Sequence, residues 1–92
     1  MSLTLRVLVV WTLLLTPLVA QADDARTRAR AAFVQGQTLY RQGKFGAALI
    51  AFQEAARHIK HPSVTINMAQ CHRNMRRHKK ALFFYKLYLT QW

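Results

Sequence analysis

The sequence predicts an all-α protein built from paired helices, and three observations carry that expectation. Apolar residues recur at spacings of three and four over most of the chain, Gly and Pro together number only five in 92 residues, and 52% of the residues are hydrophobic. The spacing marks amphipathic helices. The scarcity of turn formers speaks against a sandwich or barrel, and the hydrophobic content is well above that of a disordered chain. A chain this short holds one small domain. Its single Cys can neither close an internal disulfide nor fill a zinc site alone, so packing must supply the stability.

Residues 1–22 read as a signal peptide. Arg6 and the amino terminus form a positive region, Val7 to Leu15 is an apolar run broken only by Thr12, and Pro17 ends it. Ala20 and Ala22 supply the small residues that a signal peptidase accepts, which places cleavage after Ala22. The apolar run from Val7 to Ala20 is shorter than the roughly 20 residues that cross a bilayer. The mature chain would then be a helical domain over 23–92, 70 residues with a net charge of +10, in the periplasm or secreted.

Asp23 and Asp24 are placed to cap the first mature helix. Ala29, Ala32, Phe33, Gly36, Leu39 and Tyr40 then share one face of a helix ending at Gly43. A second periodic run, Phe45, Ala48, Leu49, Phe52, Ala55, Ala56 and Ile59, stops at Lys60-His61-Pro62, because proline disfavours helical geometry in the residue before it. Beyond Pro62 the pattern resumes through Val64, Ile66, Met68, Ala69, His72 and Met75. After a basic turn it continues through Ala81, Leu82, Tyr85, Tyr88 and Leu89. The expectation is two helical hairpins, about 29–61 and about 62–92.

The hairpins superimpose at a single shift of 33 residues. Gly36 falls on Ala69, Phe45 on His78, Ala48 on Ala81, Leu49 on Leu82 and Phe52 on Tyr85. With these residues the chain resembles the tetratricopeptide repeat (TPR) family, whose unit is a helix-turn-helix of about 34 residues. The first unit carries the family's small residue at Gly36, turn glycine at Gly43, then Phe45, Ala48, Leu49, Phe52 and Ala55. The second keeps Asn67, Ala69, Ala81, Leu82 and Tyr85, but has Arg76 for the turn glycine, His78 for an aromatic and Tyr88 for a small residue. The run NMAQCHRNMRRHKKAL looks like that of bacterial cell-envelope members.

The resemblance implies a groove lined by the first helix of each hairpin, where partner peptides lie. Carried over by position, its residues are Arg30, Phe33, Gln37, Tyr40 and Arg41 from the first unit. The second contributes Ile66, Asn67, Gln70, Arg73 and Asn74. Some members grip a terminal carboxylate with Lys and Asn at the positions of Phe33 and Gln37 and with Asn at that of Asn67. Only Asn67 is kept, so that clamp is not expected, and Asn67 is read instead as bonding across the helix interface.

Little else suggests chemistry. Three carboxylates, two of them adjacent near the start, leave little material for acid-base pairs, so no catalytic residues are assigned and the chain is read as a non-enzyme. His58, His61, His72 and His78 read as surface or helix-end residues, because a metal site needs several converging ligands. Cys71 reads as a small packed residue; no metal or cofactor is expected. Arg73, Arg76, Arg77, Lys79 and Lys80 form a basic patch in a stretch with no acid after Glu54, either a solvated turn or a docking face for an anionic surface.

These readings converge on an exported protein-protein interaction module, a TPR adaptor or scaffold of the bacterial envelope. The alternatives are a truncated amino-terminal fragment of a longer envelope TPR protein and a basic protein docking on anionic membranes. The expected partner is a protein or peptide, and nucleic acid is disfavoured by the signal sequence. The last helix bears Leu82, Phe83, Phe84, Tyr85, Leu87, Tyr88, Leu89 and Trp92 on more than one side, so part of it should stay exposed and offer a site for self-association.

Overall fold

A computed structural model describes residues 17–92, and it is all-helical. Four helices follow one another: α1 (Pro17–Arg41), α2 (Phe45–His58), α3 (Pro62–Asn74) and α4 (His78–Gln91). Each packs on the next in the chain, α1 on α2, α2 on α3 and α3 on α4, so two helical hairpins stack in a row. The expected signal segment lies outside the described residues up to residue 16.

The start of α1 departs from expectation. Asp23 and Asp24 do not cap it, because the helix is already running at Pro17 and continues through them. No Gly or Pro interrupts residues 18–35, so nothing there breaks the hydrogen-bond ladder. Thr27 donates its hydroxyl to the Asp23 carbonyl within the same helix, at 2.8 Å.

Both hairpin turns are built alike. In the first, the Lys44 amide donates to the Leu39 carbonyl and the Gly43 amide to that of Tyr40. In the second, the Arg77 amide donates to His72 and the Arg76 amide to Arg73. This is the paired six-to-one and five-to-two pattern of a Schellman cap, and it requires a left-handed residue, which is Gly43 (φ 76°) in one turn and Arg76 (φ 59°) in the other. The capping amides, the left-handed residue and the next helix start all recur at a 33-residue interval. The sequence shift is therefore a backbone repeat.

The connector between hairpins is different. Ile59 is extended and caps α2, while the His61 Nδ1 accepts from the Ser63 amide at 3.1 Å, with Pro62 at the first position of α3. Proline is tolerated there because its missing N–H had no helical partner.

The core runs along the seam of the row. Ala32, Ala48, Leu49, Phe52, Ala55, Val64, Met68 and Cys71 form one buried cluster, with Phe33, Leu39, Tyr40, Met75 and Phe84 packed against it. Phe52 is fully buried and its ring lies 5.5 Å from that of Phe33. A Cβ on Gly36 would stand 2.6 Å from Phe52 Cε1, so glycine is what lets α1 and α2 approach at this crossing.

His72 overturns its reading as a surface histidine. It is 4% exposed, and its ring stacks on Phe84 at 5.3 Å and 8°. Val64, Met68, Ala69, Cys71 and His72 are all buried, a wider arc than one face, because α3 lies between α2 and α4.

The last helix is the least covered. Ala81 is its one buried residue, Phe84, Tyr85, Leu87 and Tyr88 are half-buried, and Leu82, Phe83 and Leu89 are 53%, 60% and 76% exposed. Part of its apolar surface does remain in solvent.

Candidate functional site

The predicted groove residues divide into two groups. At one end, Asn74 donates from Nδ2 to the Tyr40 hydroxyl at 2.8 Å and to the Gln70 carbonyl at the same distance. The first bond ties the end of α3 to the end of α1, so the two first helices share a face at this end. At the other end, Arg30 and Phe33 line a pocket of about 310 Å³ with Arg26, Ala29, Ile59, His61, Ser63 and Val64. Its lining combines apolar Ala29, Phe33, Ile59 and Val64 with the exposed Arg26, Arg30 and His61, a mixture suited to an apolar side chain flanked by negative charge.

The remaining residues are placed between or beside these ends. Gln37, Ile66 and Gln70 are half-buried, while Arg41 and Arg73 are exposed; Arg41 reaches Thr38 Oγ1 at 3.4 Å in its own helix. Asn67 corrects its expectation. Its Nδ2 donates to the Ser63 carbonyl at 2.6 Å, so it bonds back along α3 and not across an interface, as short polar side chains in helices do.

Arg26 and His61 were missed as pocket residues. Arg26 lies one turn before Arg30 and shares its face, a spacing visible in the sequence. His61 reaches the pocket only because the connector folds back beside α1, which no local pattern reports.

The basic patch is exposed throughout at Arg73, Arg76, Arg77, Lys79 and Lys80. Among the described residues, the carboxylate contacts with basic side chains are those of Glu54, an ion pair with Arg57 at 3.1 Å and a hydrogen bond with His58 Nε2 at 3.0 Å. The His58 bond, then the Arg57 charge, hold the Glu54 carboxyl below its ordinary value. Both pairs lie within α2, and no carboxylate among the described residues pairs with the patch.

The buried groups are chemically quiet. Burial pushes the Cys71 thiol up to about 11, which keeps it protonated and a poor nucleophile at neutral pH. Burial, reinforced by the positive charges of Arg77 and Lys80, holds His72 below its ordinary value, and its Nδ1 has no hydrogen-bond partner. Among the described residues no three His, Cys, Asp or Glu side chains cluster, and no helix is long and apolar enough to cross a membrane.

The described residues thus define an all-helical, repeat-like protein of stacked hairpins. Comparisons of the chain with protein-family models, with curated proteins and with solved structures give no match.

Proposed function

We propose that this protein is a non-enzymatic adaptor of the TPR type, exported to the bacterial envelope, whose α1 and α3 face holds a peptide segment of a partner protein. The observation that carries this reading is the bond from Asn74 to the Tyr40 hydroxyl, which joins the ends of the two first helices into one surface. The pocket at Arg26, Arg30 and Phe33 lies along the same side of α1. It favours an acidic segment with an apolar anchor, since guanidiniums bind carboxylates through forked hydrogen bonds. Export rests on the residue pattern ending at Ala22.

Photocrosslinking tests the reading. A benzophenone side chain at Gln37 or Gln70 should capture one envelope protein, whereas the same group at exposed Ile50 on α2 should not. Equal capture from Ile50, or none from the groove, rejects the adaptor. Mass spectrometry of the exported chain should find Asp23 at its amino terminus; an intact Met1 on a cytoplasmic product rejects the export.

A further inference from the structure

The exposed face of α4 combines two features that rarely share a surface. Lys79, Leu82, Phe83, Lys86, Leu89 and Thr90 follow spacings of three and four, so they form one continuous stripe. All six are exposed. The stripe therefore interleaves two ammonium groups with three large apolar side chains, and Trp92, 48% exposed, stands at its end. Leu49 shows what the same register does when covered: it is 6% exposed in α2, against 53% for its counterpart Leu82.

We propose that this stripe docks on a bilayer surface of anionic phospholipid headgroups, with α4 lying in the plane of the interface. Charge selects the occupant. No Asp or Glu lies between Glu54 and Trp92, so no acidic side chain of this stretch neutralises Lys79 and Lys86. A second copy meeting this face would set those lysines against their own counterparts. A phosphodiester strand would satisfy the lysines and leave Leu82 and Leu89 in water, because it offers no acyl phase. An anionic bilayer meets both needs at different depths. Leu82, Phe83 and Leu89 enter the acyl boundary, while the lysine stems lie along it and raise their ammonium groups to the phosphates. Aromatic residues such as Trp92 favour that level. Arg76 and Arg77, in the turn just before α4, extend the positive field. Lys79, Lys80 and Lys86 lie along the helix and oppose burying it across the acyl core, which leaves it lying on the surface. The proposal adds a second surface to the adaptor: α4 holds the protein at the membrane while the α1 and α3 face stays open.

The test uses the full chain with Trp11→Phe, so that Trp92 is the sole fluorescent indole. Probes are vesicles of phosphatidylglycerol with phosphatidylcholine, and of phosphatidylcholine alone, so that any contribution of the apolar amino-terminal run appears on both. Trp92 emission should shift to the blue, and the chain should co-sediment, more strongly on the anionic vesicles. Lys79→Glu with Lys86→Glu should weaken that excess partition by roughly tenfold or more, and about 0.5 M salt should imitate it. Leu82→Ser with Phe83→Ser should remove the blue shift, whereas Ile50→Ser on α2 should leave it unchanged. Circular dichroism confirms that each variant stays helical. Equal binding to neutral vesicles, an undiminished partition after charge reversal, displacement by an oligonucleotide, or a dimer that separates on charge reversal would each overturn the proposal.

Discussion

Gly43 and Arg76 occupy the same left-handed backbone position, at φ 76° and φ 59°, in two turns whose capping hydrogen bonds are otherwise matched. Glycine takes that conformation freely, while a side chain brings Cβ against the following carbonyl at a cost of about 1–2 kcal/mol. The second turn therefore forms despite its residue, held by the caps and by the packing of α4 on α3.

Replacing Arg76 by Gly should relieve that strain. Glycine's greater freedom in the unfolded chain offsets part of the gain, so Arg76→Gly is expected to raise stability by about 1 kcal/mol. Gly43→Arg should lower it by a similar amount. Urea unfolding followed by circular dichroism decides the matter: a loss on Arg76→Gly would mean that its side chain, not the backbone, holds the turn.

The crossing of α1 and α2 makes a second prediction. A methyl group on Gly36 would overlap the Phe52 ring, and that ring is fully buried beside Phe33, so it cannot swing aside. Gly36→Ala should cost roughly 1–3 kcal/mol by overpacking. Phe52→Leu, which empties the contested space, should cost less when combined with Gly36→Ala than when made in the parent chain. Additive effects would show that the two residues do not meet.

The fold class was legible because apolar spacing and scarce breakers agree, and the connector because Pro62 ends a periodic run. Ala48, Leu49, Phe52 and Ala55 declared themselves as core for the same reason. Helix α1 was misjudged at Asp23 because a good capping residue also tolerates a helix interior when nothing nearby breaks it. His72 falls in the periodic run of α3 yet reads by its residue type as a surface histidine, and the structure sides with the run, because α3 has neighbours on two sides and the ring is buried against Phe84. Of the residues assigned to a groove, Tyr40 and Asn74 meet through a hydrogen bond, while the pocket that Arg26 and His61 line depends on a connector folding back in three dimensions.

His72 makes the fold sensitive to acid in a defined window. It is held neutral below its ordinary value of 6.5 by burial, Arg77 and Lys80, so the unfolded chain takes up the proton first and stability rises with pH through that interval. Above pH 6.5 this contribution is complete, and it declines as pH falls below. The carboxyl of Glu54, lowered from 4.5, is lost only at more acid pH, which separates the two. Melting temperatures from about pH 7.5 to about pH 5 should fall, and His72→Phe, which keeps the ring stacked on Phe84, should flatten the decline. An unchanged slope in that variant would assign the effect to another histidine.

Leu49 and Leu82 share a register position and differ in what covers them, and that difference has a measurable consequence. Leu49 is 6% exposed and belongs to the cluster with Val64, Met68 and Cys71, whereas Leu82 is 53% exposed. If hairpin stacking supplies the stability, the loss on truncation must follow the cover and not the repeat position. Leu49→Ala should cost about 2–4 kcal/mol, the transfer of a buried side chain plus the cavity it leaves. Leu82→Ala should cost less than about 1 kcal/mol, since most of its surface is already in water. The adjacent alanines behave the other way. Ala48 and Ala81 are 0% and 4% exposed, so both sit where helices touch, and Ala48→Leu and Ala81→Leu should each cost roughly 1–3 kcal/mol by overpacking. Denaturant melts of the four variants separate the two contributions: equal penalties at Leu49 and Leu82 would mean that α4 is covered in solution, and a harmless Ala81→Leu would mean that α3 and α4 do not pack in this register.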